Sequence, residues 1–351
     1  MNNGMDEAYT AKLKVKDKEE TKMKPVQMVC RSLALGGLVL LLAAYSVRAQ
    51  SFTPTRPVDI VNHSRAGGGS DLFARALVKM LEDEKLIPSG WQVVNKSGGS
   101  GGQAMGYLAE KKGDKHTISV FTNTWVVTGL TRAESKYTMK DFTPLVRMIL
   151  EPTIAVVKAD SPYKSLMDFV QDAKKKPGKL VQVGGTVSSV DNLFRNLIQK
   201  QTGAKWQYVD IRSGGERIAN ILGGHMHIYF PQPAEVSEHV RAGSVKIIAT
   251  LTENRLEGYP NVSTIKEQGL DVPIITQVRG VLGPPKTDAA VANYYEDIFL
   301  RLTKTPSWKK YVDENQVESA YLNGKGLAGA LVQLTDQLRT TLKDAGVKVV
   351  R

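Results

Sequence analysis

The chain has 351 residues, 47 Lys or Arg against 35 Asp or Glu, a formal net charge of +12 and one cysteine. A lone thiol excludes a disulfide framework and a cysteine-built metal site, so stability must come from a buried core, for which this length suffices even in two domains. The basic residues stand singly or in short runs such as Lys174-Lys175-Lys176 with no nucleic-acid-binding motif, so a solvated basic face is expected and no nucleic-acid partner.

Met1 to Glu20 is charged and aperiodic, as if an upstream start codon were used, with Met23 or Met28 the working initiator. Lys22, Lys24 and Arg31 then precede an apolar run from Leu33 to Ala44, and Val47-Arg48-Ala49 fits the small-x-small cleavage pattern. The run is shorter than the ~20 apolar residues of a membrane span. The expectation is a signal peptide cleaved after Ala49, with residues 1–49 removed and the rest in the periplasm. Cys30 precedes the apolar run, so it is no lipobox cysteine and leaves with the signal.

From residue 51 onward, strand-like and helix-like segments alternate with short turns, the pattern of an α/β protein. Val58–Val61 reads as a strand, and Leu72, Phe73, Ala76, Leu77, Met80 and Leu81 follow with a helical period. Strands are expected at Trp91–Val94, Thr117–Phe121, Ile154–Val157, Leu180–Val183, Trp206–Val209, His227–Phe230 and Val245–Ala249. Helices are expected at Ser165–Lys175, Asp191–Gln201 and Glu216–Leu222, the last stopped by Gly223-Gly224. Gln277–Leu282 returns as a strand, and after Gly283-Pro284-Pro285 only helices are expected: 288–303, 307–315 and 326–345.

Three glycine-rich turns join a strand to a helix: His63–Asp71, Val183–Ser189 and Arg212–Glu216. Such turns expose backbone N–H groups at the positive end of a helix, where an anion is stabilised. Glycine permits close approach and positive φ. Repeated in one secreted chain, the pattern points to capture of a small anion.

The segments that carry a family likeness run in order along the chain. They include Ala66-Gly67-Gly68-Gly69-Ser70-Asp71, Val94-Asn95-Lys96-Ser97-Gly98-Gly99, Asp160-Ser161-Pro162-Tyr163, Gly214-Gly215-Glu216, Tyr259-Pro260-Asn261-Val262 and Arg279-Gly280 before Gly283-Pro284-Pro285. Together, from about Arg56 to Asn323, they resemble the extracytoplasmic solute-binding proteins of the tripartite tricarboxylate transporter family, the Bug proteins. The resemblance implies an α/β fold of two lobes, a Venus flytrap with mixed sheets joined by crossover strands. It implies lobe 1 at 52–150 plus 278–351, lobe 2 at 151–277, and a hinge near Glu151–Ile154 and Gln277–Val278. It further implies a non-enzymatic monomer without cofactor or metal, whose partners are a small organic carboxylate (a di- or tricarboxylate) and the permease subunits. Presentation of ligand to a membrane sensor kinase is the alternative within binding proteins.

By the same resemblance, the first turn holds the carboxylate with Gly67, Gly68, Gly69, Ser70 and Asp71. The second turn opposes it with Gly184, Gly185, Thr186, Ser188 and Ser189. Asn95, Thr122, Asn123, Arg212, Ser213 and Gly214 line the cleft peripherally. His63, Ser64 and Arg65 depart from the small or apolar residues common in the family, and Asn192 stands where many members have histidine. Arg65 is placed either on a second carboxylate or at the rim, facing water. Asp191 either takes a polar or cationic group of the ligand or favours its helix N-terminus. Asp71 has the same ambiguity, with Ser70 the expected cap, and Trp125 is the tryptophan that could reach the cleft.

Other chemistries fit less well. Gly98-Gly99-Ser100-Gly101-Gly102 matches the G-x-S-x-G elbow of a hydrolase, but the last histidine is His239, before the C-terminal region where the partner belongs. Gly99–Ala104 matches a dinucleotide fingerprint but follows a second rather than a first strand. His225-Met226-His227 puts two imidazoles on one strand face only if both lie in a strand, and no further ligand is in view.

Overall fold

A computed structural model describes residues Phe52–Arg351 apart from Ser89; the expected signal peptide, its cleavage site and Cys30 lie outside the described residues. Strand β1 (Asp59–Asn62) shows how the apolar runs are used. Successive strand residues face opposite sides, and here both sides are covered. Ile60 packs with Phe73, Leu77 and Tyr295, and Val61 with Met105, Phe121 and Trp125. Burial on both faces is why this strand reads as nearly continuous hydrophobics.

The first sheet has the order β11-β4-β10-β3-β1-β2, with β2 (Gln92–Asn95), β3 (Thr117–Thr122), β4 (Thr143–Glu151), β10 (Gln277–Gly283) and β11 (Glu318–Asn323). Strands β1, β2 and β3 run parallel, whereas β10 is antiparallel to both β3 and β4. The second sheet has the order β7-β6-β8-β5-β9, with β5 (Ile154–Lys158), β6 (Val181–Gly184), β7 (Gln207–Asp210), β8 (Ile228–Tyr229) and β9 (Val245–Thr250). It too is mixed: β6 is parallel to β7 and β8, and β5 is antiparallel to β8 and β9. Here Ile154 and Val156 pack with Val183 and Ile218, while Ala155 and Val157 join Phe169 and Phe194 on the other face. The chain crosses between sheets from β4 to β5 and returns from β9 to β10. The fold is two-lobed α/β, with mixed sheets and crossover strands.

Helices α1 (Gly69–Asp83), α2 (Gly102–Glu110), α3 (Asn123–Thr131), α4 (Leu166–Lys175), α5 (Val190–Thr202), α6 (Gly214–Leu222), α7 (Ser237–Arg241), α8 (Ala289–Leu302), α9 (Pro306–Asn315) and α10 (Gly324–Asp344) cover the sheets. Local signals place several of them. Ser165 caps α4 by accepting from the Asp168 N–H at 3.1 Å, and Lys174 and Lys175 sit in its last turn, where the dipole favours cations. Among the described residues no helix is long and apolar enough to cross a membrane.

Four expectations need correction. The region after residue 285 is not all helical, because β11 adds an edge strand beside β4 with an irregular register between Ser319 and Leu322. Strand β4 and helices α2 and α3 had no counterpart in the expected elements. Neither His225 nor His227 lies in a strand, since β8 is only Ile228–Tyr229, and His227 Nδ1 accepts from the Val181 N–H at 3.1 Å. Ser70 is not the cap of α1; Gly68 is, in extended geometry and with no side chain capping it.

Candidate functional site

Strands β1, β3, β6 and β7 all end, at their carboxyl termini, beside one cavity of about 70 Å³ between the sheets. Carboxyl ends of parallel strands are where α/β folds present loops and helix N-termini to a ligand.

The first turn is built from Asn62. Its buried Oδ1 accepts from the Ser64 N–H at 2.9 Å and hydroxyl at 3.0 Å, and Ser64 Oγ accepts from the Asp71 N–H at 3.1 Å. Asp71 is fully used inside the turn. It accepts from the Gly67 N–H at 3.0 Å, from Arg75 at 3.0 Å and from Asn95 at 2.8 Å. Burial works against its charge, but the hydrogen bonds from Arg75, Asn95 and Gly67 outweigh it and hold its pKa below the usual carboxylate value. Thus Asp71 and Asn95 brace the turn from behind. Gly69 and Ser70 face the cavity, and their N–H groups have no acceptor among the described residues.

The second turn has an equivalent brace. Asp191, buried in the first turn of α5, accepts from the Gly185 N–H at 3.2 Å, from Tyr208 Oη at 2.9 Å and from Ser189 Oγ. Burial raises its pKa, while Ser189 and Tyr208 pull it back. Gly185, Thr186, Ser189 and Asp191 line the cavity, and Thr186 Oγ1 is buried with no hydrogen-bond partner among the described residues.

Of the other expected residues, Thr122 and Arg212 also line the cavity. Thr122 caps α3 by accepting from the Thr124 N–H at 3.2 Å. Arg65 is exposed. Gly67 and Gly214 meet each other: a Cβ on Gly214 would stand 1.9 Å from the Gly67 carbonyl oxygen. Gly184 ends β6 beneath Asp191 and Tyr208, leaving no room for a side chain. Ser188 is buried beside a different hollow, shared with Val127 and Leu342. Ser213 caps α6. Asn123 ties α3 to the returning strand, donating to the Thr276 carbonyl at 3.0 Å and accepting from the Val278 N–H at 2.9 Å.

Further charged side chains of the cavity come from residues outside the expected set. Arg279 is buried against Glu151, donates to Ser70 Oγ at 3.2 Å and reaches Gln232 Oε1 at 3.4 Å. Arg217 is buried against Glu235 at 2.8 Å and donates to Tyr229 Oη at 2.5 Å. Burial alone would lower the Arg217 pKa, but Glu235, Tyr229, Asp191 and Tyr208 together outweigh it and raise the value. Glu151 is pushed up by burial and held back by Arg279. Arg212, in contrast, lines the cavity without an ion-pair partner among the described residues.

His63 is the last cavity residue of note. Trp125 does not line the cavity; it is fully buried, and its indole N–H donates to His63 Nδ1 at 3.2 Å. Burial, then the nearby Arg279 charge, lowers the His63 pKa to about 3. The ring is therefore neutral, with Nδ1 accepting and the proton on Nε2 as a donor. Single-residue signals for Arg217, Gln232 and Glu235 were lacking, whereas Arg279 lay inside a segment of the family likeness.

Ser100 does adopt the strained backbone of an elbow, φ 51° and ψ 44°, yet its Oγ accepts from Arg132 at 3.3 Å and has no histidine partner among the described residues. Among those residues no group of three or more metal-ligating side chains converges.

The comparisons with known proteins agree with this architecture. A Cupriavidus necator protein, UPF0065 protein in gbd 5'region, is 24% identical over 317 residues, spanning 90% of this chain and 95% of its own. The R. palustris protein Rpa4515, solved with adipate, superposes with a TM-score of 0.78 at 21% identity, covering 84% of this chain and 99% of that one. MatC (Rpa3494) from Rhodopseudomonas palustris, solved with malate, superposes with a TM-score of 0.75 at 18% identity, covering 83% and 100%. The profile described as tripartite tricarboxylate transporter family receptor matches residues 83–342, and the chain belongs to that family, one of substrate receptors and not of enzymes.

Proposed function

We propose that this receptor captures a small organic carboxylate between its lobes in the periplasm and hands it to the permease subunits of a tripartite tricarboxylate transporter. The observation that carries the reading is Arg212, a guanidinium that lines the cavity with no ion-pair partner among the described residues, together with the Gly69 and Ser70 N–H groups, which line the same cavity and have no acceptor among those residues. The N-terminus of α1 adds ~0.3–1 kcal/mol to an anion, and each charge-assisted hydrogen bond ~1.5–3 kcal/mol. After ordering costs, this supports roughly micromolar affinity, about −8 kcal/mol. Adipate and malate in two proteins of the same fold fit the same ligand class.

The lobes divide at 52–150 plus 278–351 and 151–277. They close by a hinge at Glu151–Ile154 and Gln277–Val278, as a monomer without cofactor or metal. Ligand contact runs through Gly69, Ser70, Thr122, Gly185, Thr186, Ser189, Asp191 and Arg212. The test is calorimetry on protein purified from a periplasm, whose N-terminal sequence reads from Gln50 if cleavage follows Ala49. Carboxylates should bind, neutral sugars should not, and Arg212→Ala should weaken carboxylate binding about 10- to 100-fold with the fold intact. Unchanged affinity in Arg212→Ala sinks the assigned anchor.

A further inference from the structure

Beyond the crossing strands, on the side away from the cavity, one side chain joins the two lobes. In the first sheet the cavity lies at the ends of β1 and β3, and β11 is the edge on the far side of β4 and β10. In the second sheet it lies at β6 and β7, and β9 is the opposite edge. Gln316 stands between α9 and β11, and Gly258 follows β9 in the other lobe. Gln316 Oε1 accepts from the Gly258 N–H at 2.6 Å, and its Nε2 donates to the Asp313 carbonyl at 2.7 Å. A Cβ on Gly258 would overlap the Gln316 amide, so the side chain lies directly on the glycine.

Both ends of this contact are anchored. Val317, next to Gln316, is buried in the core beside the first sheet. Leu256 packs against the cluster of Ile154 and Val245, and its carbonyl accepts from the Tyr259 N–H at 2.9 Å, closing the turn that holds Gly258. Gln316 ends α9 in left-handed backbone, φ 52° and ψ 43°, a conformation that suits glycine or asparagine and strains other residues. Such strain persists only where the surrounding structure imposes it. Here the strained residue is the one whose side chain crosses between lobes.

Geometry fixes the direction in which this contact acts. On the ligand side the lobes already touch, Gly67 against Gly214. Two bodies that turn about the crossing strands part on that side only by approaching on the other. The approach drives Gly258 into the Gln316 side chain, which can yield only by losing both hydrogen bonds. Resting on the hinge of the proposed reading, we propose that Gln316 is a wedge behind the hinge that favours the closed receptor. It would raise ligand affinity without touching ligand, because a ligand that binds the closed form gains as that form is populated.

The test is an interlobe distance, read by pulsed electron resonance on the mature chain from Gln50, which holds no cysteine once residues 1–49 are removed. Spin labels go on Lys112→Cys and Lys205→Cys, exposed positions in opposite lobes, with and without malate as the closing probe. Gln316→Asn accepts left-handed backbone but is too short to reach Gly258. It should lower the closed-to-open ratio of the unliganded protein about 3- to 10-fold, the equivalent of one hydrogen bond. Gly258→Ala should do the same by displacing the amide, and should add little when combined with Gln316→Asn. A shift in Gln316→Asn upholds the wedge even if malate moves nothing, and then counts only against malate as the ligand. Two populations that malate interconverts but Gln316→Asn leaves unchanged overturn the wedge and keep the hinge. A ratio that rises in Gln316→Asn, or a lower thermal midpoint with the ratio unchanged, also overturns the wedge. A single distance that malate and both variants leave unchanged overturns the hinge and the wedge together.

Discussion

His63 is a buried imidazole held neutral by its surroundings, and this ties stability to pH. In the unfolded chain it protonates near 6.5; in the folded protein burial and Arg279 delay protonation to about 3. Between those values the unfolded chain binds the extra proton, so acid favours unfolding, and this contribution is complete only below pH 3. From pH 6.5 to 5 the loss amounts to about 2 kcal/mol, at roughly 1.4 kcal/mol per pH unit. His63→Gln keeps an acceptor for the Trp125 indole and removes the titration. The difference in denaturant stability between wild type and His63→Gln should therefore shrink or reverse as pH falls from 6.5 to 5. A difference that stays constant over that range would remove His63 from the acid response.

At the level of elements, the glycine turns decide how closely the lobes approach. Gly214 opens α6 in one lobe and lies against Gly67, whose φ of +75° is a glycine conformation, in the other. A side chain at 214 would strike backbone, which cannot swing away as a flexible side chain can. Gly214→Val should hold the lobes apart and weaken ligand binding by about 10-fold or more, because the two turns no longer reach one anion together. Unliganded stability should change little, since position 214 is the first residue of its helix. Calorimetry with small-angle scattering checks both; a ligand-induced contraction equal to wild type would show that the contact does not limit closure.

These same turns explain what could be read from sequence. Each strand–glycine–helix unit is written in consecutive residues, with an apolar run, a flexible turn and a 3.6-residue period, and so it is legible locally. Strand β4 was not, because Pro144 stands second in it and Arg147 interrupts its apolar run. Strand β11 was not, because as an edge strand it is mixed in polarity and irregular in register. Of the residues expected around the ligand, those within the turns that face inward lie at the cavity. Asp71 and Asn95 show the limit: a turn needs its own internal brace, and sequence cannot tell a bracing carboxylate from a binding one. Glu235 and Arg217 carry no local pattern, and Arg279, although it lies in a segment of the family likeness, shows its place beside Ser70 only once the fold brings the two together.

At the scale of the whole molecule, Arg279 is the point where both lobes and the crossing strands meet. It sits on the returning strand β10, pairs with Glu151 at the end of the outgoing strand β4, and reaches Ser70 of α1 and Gln232 of the opposite lobe. Both partners are almost fully buried, with side-chain exposures of 3% and 1%. Desolvating two charges costs nearly as much as their attraction returns, so such a pair adds little net stability over apolar residues of similar size. Removing one partner is different, because it leaves a bare charge in the interior, at a cost of about 3–5 kcal/mol. Arg279→Met should therefore lower the thermal midpoint sharply. Adding Glu151→Leu to it should recover most of that loss, although neither change restores the hydrogen bonds to Ser70 and Gln232. Ligand affinity should stay depressed in the double variant, since the tie that orients α1 against the opposite lobe is gone. Recovery of stability without recovery of binding would assign the pair to closure; recovery of both would make Arg279 dispensable to the site, and recovery of neither would mean that the interior cannot repack around the missing charges.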